Sequence, residues 1–288
     1  MTTTAIGQCT ANISEVRTAI NKACMEGKRI GCVPTMGALH AGHRSLMREC
    51  RRHADFVCTT IFVNPTQFAP TEDLAKYPRP IQLDIEACIA EGVELIFMPE
   101  IPSMYPAGFQ TWVSVDEITQ SLEGAFRPAH FRGVTTIVAK LFNIVRPDVA
   151  CFGAKDYQQL ATIRRMVRDL DMPVEIITCP TIREPDGLAM SSRNIYLSPT
   201  ERTAALSISQ SLRMAEQSLL AGGTDLVMVQ KEMVAHMESH PEIKVQYAVI
   251  ADPDSLQELS AAQPDMVLLI AATVGKTRLI DNLTVTLG

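Results

Sequence analysis

The chain is organised around one stretch, which reads Arg29-Ile30-Gly31-Cys32-Val33-Pro34-Thr35-Met36-Gly37-Ala38-Leu39-His40-Ala41-Gly42-His43. The apolar run that ends at Pro34 predicts a buried strand, and a glycine-containing turn follows it. A helix is predicted to begin near His43, because Leu46, Met47 and Cys50 share one helical face. A strand that turns into a helix N-terminus presents backbone N–H groups and the positive end of the helix dipole, so the sequence predicts an anion site here.

Two histidines flank that turn. His40 and His43 each carry two ring nitrogens able to donate to phosphate oxygen, and Gly42 removes a side chain where a ligand would approach the backbone closely. The pattern resembles the His-x-Gly-His signature of the nucleotidyl-transferring α/β superfamily, which includes the class I aminoacyl-tRNA synthetases. A metal-binding pair and two ordinary surface histidines are the alternatives, although no Cys, Asp or Glu cluster nearby supplies a third metal ligand.

The composition is that of an ordinary globular protein. The chain has 288 residues, of which 47% are hydrophobic and 20% charged, enough for one large domain or two modest ones. A net charge of −6 without a Lys/Arg run argues against a nucleic-acid partner. No apolar run reaches the ~18 residues of a membrane span, and the N-terminus lacks a signal-peptide pattern, so we expect a cytoplasmic protein with no membrane partner. The eight cysteines form no Cys-x-x-Cys pair, which is typical of buried thiols in a reducing compartment.

Strands and helices alternate along the first part of the chain. Five apolar or β-branched segments predict strands, and they lie at 30–34, 56–63, 93–98, 149–152 and 174–177. The alternation predicts the α/β class with a doubly wound, parallel, Rossmann-like sheet, whose ligands bind beyond the carboxyl ends of the strands. Residues 112–115 predict a further short strand, and residues 121–132 predict a mobile loop.

A turn-rich segment in the last third of the chain predicts a domain boundary. We expect a Rossmann-like domain at 1–182 and a smaller α+β domain at 183–288, which carries the Met-Ser-Ser-Arg loop at its start. In this second domain Ser198 and Glu201 predict a capping box at the start of a helix. Three later strands predict a small mixed or antiparallel sheet with a hairpin turn at Gly275-Lys276.

Two further segments carry groups suited to phosphate. Lys155 follows the fourth predicted strand at a second strand-turn-helix junction, and Ser191, Ser192 and Arg193 lie in a loop after a turn. Arginine donates a planar fork of N–H groups and serine adds short donors, which suits a phosphate clamp. With the histidine pair they make three phosphate-directed groups, as phosphoryl or adenylyl transfer requires, because charge that develops on the phosphates must be neutralised.

Six blocks of sequence are similar to the pantothenate synthetase (pantoate–β-alanine ligase) family, in order and with the family's spacing. The blocks lie at 34–43, 62–68, 77–79, 122–124 with 130–134, 152–160 and 186–194. The C-terminal third matches the family in layout but carries no sharp motif.

The resemblance implies an ATP-dependent ligation of pantoate and β-alanine to pantothenate. Pantoate carboxylate would attack the α-phosphorus of ATP to give pantoyl adenylate and pyrophosphate, and the amine of β-alanine would then displace AMP. The resemblance also implies a homodimer. We expect the loops at 66–80 and 121–132 and the C-terminal domain to close over the nucleotide, because adenylates hydrolyse when water reaches them.

The resemblance also implies which residues hold ATP. Those at the first junction are Met36, Gly37, Ala38, Leu39, His40, Ala41, Gly42 and His43. The others are Gly153, Ala154, Lys155, Asp156, Ile182, Met190, Ser191, Ser192 and Arg193. Lys155 would contact phosphate, Asp156 the ribose hydroxyls, and the backbone of Ile182 the adenine. The implied catalytic residues are His43 as proton donor to the phosphates, His40 beside it, Lys155, Ser191, Ser192 and Arg193.

The same resemblance assigns pantoate binding to two amides. Gln67 and Gln159 would hydrogen-bond this substrate, because neutral amides orient its hydroxyls and carboxylate without leaving a buried charge alone. We also expect a requirement for Mg²⁺, which binds largely through substrate phosphates, so no protein metal cage is predicted. Asp84 is the nearest candidate ligand for that ion, and the alternative is that it only faces solvent on its helix.

Two other functions share parts of this pattern. A nucleotidylyltransferase that joins a nucleotide to a phosphorylated substrate shares the fold and the histidine pair, but it would usually carry basic residues where Gln67 and Gln159 stand. A non-catalytic nucleotide-binding regulator would keep the fold without needing His43, Lys155 and Arg193 together.

Overall fold

The protein is described by a computed structural model that covers residues 7–69 and 74–288. The loop expected at 66–80 therefore lies partly outside the described residues, and its closure over a nucleotide stays a prediction. Among the described residues, no helix combines the length and the apolar composition that a membrane crossing requires.

The described residues divide into two compact units. The first comprises everything described up to Gly153 together with Thr162–Cys179, and the second comprises Ala154–Ala161 and Pro180–Gly288. The division at residue 182 that the sequence predicts stays a prediction, as does the role of the C-terminal domain as a lid.

Six parallel strands form one sheet in the described part of the first unit. They are β1 (Gln8–Thr10), β2 (Ile30–Thr35), β3 (Phe56–Ile61), β4 (Leu95–Phe97), β5 (Val149–Gly153) and β6 (Glu175–Cys179). Their order across the sheet is β1-β4-β3-β2-β5-β6, so the strand order reverses between β2 and β5. A parallel sheet with such a reversal is doubly wound and binds ligands beyond the carboxyl ends of the strands there. The predicted α/β class with a Rossmann-like sheet is confirmed.

Helices connect these strands. They are α1 (Ile13–Met25), α2 (Ala41–His53), α3 (Ile81–Ala90), α4 (Ile101–Met104), α5 (Glu123–Phe126), α6 (His130–Val145) and α7 (Tyr157–Asp169). In α2 the predicted apolar face is confirmed, because Met47 and Cys50 are fully buried in a core that also contains Val33 and Val57 of the sheet. Burying a side chain such as Met47 stabilises the fold by about 1.5–3 kcal/mol.

Three segments of the first unit differ from the sequence prediction. β1 was not predicted, because three residues with one buried side chain carry no periodic signal. Residues 112–115 form no strand, since the backbone of Val113 donates to Thr136 Oγ1 at 3.0 Å and accepts from Thr135 Oγ1 at 2.6 Å. Side chains of α6 thus form the hydrogen bonds that the backbone of Val113 would otherwise form with a neighbouring strand. Part of the loop predicted at 121–132 is helical, in α5 and the first turn of α6.

The second unit, which is described throughout, contains three antiparallel strands. Its elements are α8 (Pro199–Leu220), α9 (Leu226–Glu238), β7 (Ile243–Ala251), β8 (Asp265–Val274) and β9 (Thr277–Thr286). The predicted capping box is confirmed, because Ser198 Oγ accepts from Glu201 N and Glu201 Oε2 accepts from Ser198 N at 2.8 Å. The predicted hairpin is confirmed as well, since Val274 pairs with Thr277 across a turn in which Gly275 has a φ of +57°.

Candidate active site

A buried carboxylate holds the turn that follows β2. Gly37 and Ala38 adopt left-handed φ angles of +82° and +51°. Asp84 on α3 is 2% exposed, and its two oxygens accept hydrogen bonds from the backbone N–H of Ala38 at 2.9 Å and of Leu39 at 2.7 Å. A Cβ atom at Gly37 would lie 2.9 Å from Asp84 Oδ2, so only glycine leaves room for the carboxylate. The alternative that Asp84 faces solvent is therefore wrong.

The two histidines close the first turn of α2. His40 is the N-cap residue, and its Nδ1 accepts from Gly42 N at 3.1 Å, while His43 Nδ1 accepts from His40 N at 3.3 Å. An Nδ1 that accepts a hydrogen bond places the hydrogen of a neutral imidazole on Nε2. Because Nδ1 of each ring serves the helix cap, Nε2 is the ring nitrogen left to donate to phosphate, and the predicted phosphate contacts of both histidines stay a prediction. Gly42 makes room for the cap itself, since a Cβ there would lie 2.8 Å from His40 Cε1.

Gln67 is packed beside the same turn. It ends a 3-10 turn after β3 and is 8% exposed. Asn64 Nδ2 donates to Gln67 Oε1 at 3.1 Å, and Gln67 Nε2 lies 3.1 Å from Met36 Sδ. Gly133 on α6 permits this packing, because a Cβ there would lie 2.5 Å from the carbonyl oxygen of Thr66. The first unit therefore brings Met36 and Gln67 together from positions 31 residues apart.

The backbone around Lys155 is anchored by β9. Residues Ala154–Asp156 form a 3-10 turn, and Asn282 Nδ2 donates to the carbonyl oxygens of Ala154 and Lys155 at 2.9 and 2.7 Å. Asp281, the neighbour of Asn282, forms a bidentate ion pair with Arg183 at 2.7 and 3.0 Å. The position of Lys155 is thus set by a strand more than a hundred residues further along the chain.

Lys155 lines a pocket of the second unit together with Ser191 and Arg193 of the Met-Ser-Ser-Arg loop. The pocket is small and partly open to solvent. Its lining consists of Lys155, Leu188, Ala189, Ser191, Arg193, Asn194, Ile208, Arg278, Leu279, Ile280 and Asp281. Three of the predicted phosphate-directed residues, Lys155, Ser191 and Arg193, therefore share one cavity. The backbone N–H of Met190 donates to the carbonyl oxygen of Ile182 at 2.9 Å, which brings those two predicted residues together.

The predicted site residues fall into one group in each unit. The first unit holds Met36, Gly37, Ala38, Leu39, His40, Ala41, Gly42, His43, Gln67 and Gly153. The second unit holds Ala154, Lys155, Asp156, Gln159, Ile182, Met190, Ser191, Ser192 and Arg193.

The two carboxylate oxygens of Asp84 bind backbone N–H groups and are not placed as dedicated magnesium ligands. Among the described residues, no three His, Cys, Asp or Glu side chains group so that they could hold a metal ion. We therefore assign the carboxylate to the turn, and the requirement for Mg²⁺ stays a prediction.

Comparison with known proteins places this geometry in a family. A family model described as pantoate-beta-alanine ligase matches residues 8–284. The chain belongs to that family. A pantothenate synthetase of Thermoanaerobacter sp. (strain X514) is 52% identical over 274 residues, which cover 95% of this chain and 97% of the relative. The pantoate–β-alanine ligase family is thus shown across nearly the whole chain.

Solved structures of this ligase family match the fold. The pantothenate synthetase of Thermus thermophilus has a TM-score of 0.91 at 42% identity, with 96% of this chain and 98% of that one covered. The pantoate–β-alanine ligase of Francisella tularensis, solved in complex with beta-gamma ATP and beta-alanine, has a TM-score of 0.79 at 36% identity. That match covers 96% of this chain and 97% of the Francisella ligase.

Sequence reasoning missed the residues that support the site of this ligase. The sequence suggested that the carboxylate of Asp84 either binds a metal ion or faces solvent. It singled out neither Asn282 nor the ion pair between Arg183 and Asp281. One signal was present, because Asp281 and Asn282 stand between the apolar residues Ile280 and Leu283 of one strand. Two consecutive polar residues in such a setting need buried partners.

We expect Asp84→Asn to lower the free energy of unfolding by about 1–3 kcal/mol, because the amide places an N–H group against a backbone N–H donor. Urea unfolding of the ligase measures this, with Glu86→Gln as the matched control on the same helix, where Glu86 is exposed. Equal stabilities of the two variants would show that the turn does not depend on the carboxylate.

Proposed function

We propose that the protein joins pantoate and β-alanine to pantothenate through a pantoyl-adenylate intermediate, with release of AMP and pyrophosphate. The observation that carries the proposal is the clustering of Lys155, Ser191 and Arg193 around one pocket in a chain of the pantoate–β-alanine ligase family. The ATP and β-alanine complex of the Francisella ligase supports ATP and β-alanine as substrates.

The proposed chemistry needs activation of an unreactive carboxylate. A carboxylate oxygen of pantoate attacks the α-phosphorus, and the bond from that phosphorus to the pyrophosphate oxygen breaks. The amine of β-alanine then attacks the acyl carbon, the bond to AMP breaks, and the amine loses a proton. Charge grows on pyrophosphate in the first step, so cations and N–H donors placed to meet it accelerate that step.

The proposed roles follow from the local geometry. His40 and His43 direct Nε2–H groups at the phosphates, since the helix cap uses the other ring nitrogen. The N-terminus of α2 adds its dipole to this anion site. Lys155 and the donors of Ser191, Ser192 and Arg193 bind phosphate.

The remaining nucleotide contacts are proposed from the family motif. Residues 36–42 cradle ATP, Gly153 and Ala154 hold the nucleotide, and Met190 begins the phosphate-binding loop. Asp156, which is exposed, accepts hydrogen bonds from the ribose hydroxyls. The backbone of Ile182 meets the adenine.

Gln67 and Gln159 are proposed to bind pantoate. We expect replacement of either by alanine to weaken pantoate binding by ~1–3 kcal/mol, the cost of one hydrogen bond to a bound polar group, and to leave ATP binding unchanged. For Gln67 the reason is that its Nε2 donates to the thioether of Met36, a weak acceptor that a substrate oxygen can outcompete.

Calorimetric titration with pantoate and with a non-hydrolysable ATP analogue measures both affinities. Gln82→Ala is the control, since Gln82 is an exposed glutamine on α3. An equal loss of affinity for both ligands would mean that the substitution damaged the site generally.

ATP–pyrophosphate exchange with and without pantoate tests the proposed function. The proposal requires exchange that depends on pantoate and formation of pantothenate and AMP when β-alanine is added. A nucleotide-binding regulator would show no exchange, and a nucleotidylyltransferase would show exchange that pantoate does not stimulate. Either result would replace the proposal.

Magnesium is proposed to reach the site with the ATP phosphates. Bound there, it would neutralise phosphate charge. Chelation is then expected to abolish exchange, while Asp84→Asn leaves the midpoint of the Mg²⁺ dependence unshifted. A shifted midpoint would show that Asp84 contributes to binding of the Mg²⁺ ion.

We also propose a homodimer in the cytoplasm, and sedimentation of the purified chain tests the dimer.

A further inference from the structure

A tyrosine to which the proposed function gives no role joins the hydrogen bonds around Gln67. Tyr105 follows α4, and its hydroxyl donates to Asn64 Oδ1 at 2.8 Å across 41 positions of the chain. Asn64 caps the 3-10 turn that ends at Gln67, and its Nδ2 donates to Gln67 Oε1 at 3.1 Å. The Tyr105 hydroxyl and the side-chain amides of Asn64 and Gln67 therefore form one chain of hydrogen bonds within the first unit.

Backbone groups fix the direction in which the Asn64 amide points. Its Oδ1 accepts from the backbone N–H of Thr66 at 3.4 Å, and its Nδ2 donates to the carbonyl oxygen of Gly133 at 3.1 Å. A backbone N–H can only donate and a carbonyl oxygen can only accept, so the two ends of this amide cannot be exchanged. Asn64 therefore presents a donor to Gln67. The oxygen of the Gln67 amide has to face that donor, which leaves Nε2 on its other side.

The kind of ligand atom that Gln67 can bind follows from this orientation. Gln67 Nε2 lies 3.1 Å from Met36 Sδ, and a thioether is a weak acceptor. The oxygen of a hydroxyl or a carboxylate can take the place of that sulfur and accept from Nε2, whereas an ammonium group has no lone pair to accept with. The Gln67 amide is thus set to recognise an acceptor.

The ring of Tyr105 is packed so that its hydroxyl keeps its place. The ring lies edge-on to Phe109 with centroids 5.1 Å apart, and nearly parallel to Trp112 with centroids 6.3 Å apart. Burial raises the pKa of the Tyr105 hydroxyl, so it stays protonated and remains a donor at neutral pH. A donor to the oxygen of an amide polarises that amide and strengthens donation by its N–H groups. The Tyr105 hydroxyl therefore supports the hydrogen bond from Asn64 to Gln67.

We propose that Tyr105 is a positioning residue for pantoate, which acts through Asn64 to hold Gln67 with Nε2 as the donor to an oxygen of that substrate. The proposal rests on the proposed function for the identity of the substrate. It assigns Tyr105 no contact with pantoate or ATP, so the effect of the hydroxyl passes through Gln67. It also gives Gln67 a means of rejecting the ammonium of β-alanine, because that group would meet an N–H donor.

A double-mutant cycle on the full chain tests the proposal. We expect Tyr105→Phe to raise the dissociation constant for pantoate by about 3–10-fold and to leave that for a non-hydrolysable ATP analogue unchanged. In the Gln67→Ala background the same substitution is expected to have no further effect on pantoate binding, because the donor that the hydroxyl positions is gone. Tyr247→Phe is the matched control, since Tyr247 is a partly buried tyrosine on β7 of the second unit. Its pantoate affinity is expected to match that of the wild type.

Either of two results from this cycle would overturn the proposal. A pantoate affinity of Tyr105→Phe within about twofold of the wild type would show that the hydroxyl does not support the substrate contact. Equal losses of pantoate affinity in the wild-type and Gln67→Ala backgrounds would show that the substitution acts on the packing of the site and not through Gln67.

Nuclear magnetic resonance of the Asn64 side-chain amide gives a readout that needs no substrate. We expect its Nδ2 protons to exchange with solvent faster in Tyr105→Phe than in the wild type or in Tyr247→Phe, because the hydrogen bond to Gln67 is weakened. Faster exchange in a protein whose wild-type chain binds no pantoate would keep the positioning role of Tyr105 and remove the proposed function. Unchanged exchange in a chain with pantoate-dependent ATP–pyrophosphate exchange would keep the proposed function and remove the positioning role.

Discussion

Replacing Lys155 with alanine is expected to lower the rate of pantoate-dependent ATP–pyrophosphate exchange by about 10²–10³-fold. The ammonium of Lys155 is proposed to meet charge that grows on the phosphates, and loss of one such donor acts on the transition state more than on the ground state. The backbone should keep its path in the variant, because Asn282 holds the carbonyl oxygens of Ala154 and Lys155. The free energy of unfolding is therefore expected to stay within about 0.5 kcal/mol of the wild type.

Single-turnover formation of the adenylate, followed by quenching, measures the effect of Lys155→Ala on the chemical step. Lys244→Ala is the control, since Lys244 is an exposed lysine on β7. A single-turnover rate near that of the wild type would remove Lys155 from the mechanism, and a loss of stability would assign it to the fold.

Replacing His43 is expected to give the second large effect on the adenylation rate. Two substitutions separate the role of its Nε2–H donor from the role of its Nδ1 acceptor in the helix cap. In His43→Asn the side-chain oxygen takes the place of Nδ1 as acceptor for His40 N, and the Nε2–H donor is lost. The adenylation rate is expected to fall by about 10²–10³-fold with little change in stability. In His43→Ala both the acceptor for His40 N and the Nε2–H donor are lost. This variant is expected to lose rate to a similar extent and, in addition, about 0.5–2 kcal/mol of stability.

Urea unfolding and single-turnover kinetics of both His43 variants test this division. The expected pattern is a slow, stable His43→Asn and an equally slow but less stable His43→Ala. If His43→Asn reacts at the wild-type rate, the Nε2–H group has no part in adenylation. If His43→Ala is as stable as the wild type, the hydrogen bond from His40 N does not support the helix.

The sequence by itself determined the class of the fold and its local signals. Alternating apolar strands and helices predicted the doubly wound parallel sheet, the capping box at Ser198 and Glu201 was readable, and so was the hairpin at Gly275. Each depends on hydrogen bonds or burial between residues a few positions apart, which a linear pattern records. Lys155 and Arg193 were predicted to be phosphate-directed from their residue types and their places after a strand and a turn, and the family resemblance assigned the same two residues.

Tertiary structure alone decided what supports those residues. Asp84 binds the turn of Ala38 from 46 positions along the chain, and Asn282 anchors Lys155 from 127 positions away. Pairing at such distances leaves no periodic trace, because it depends on how the sheet and helices pack.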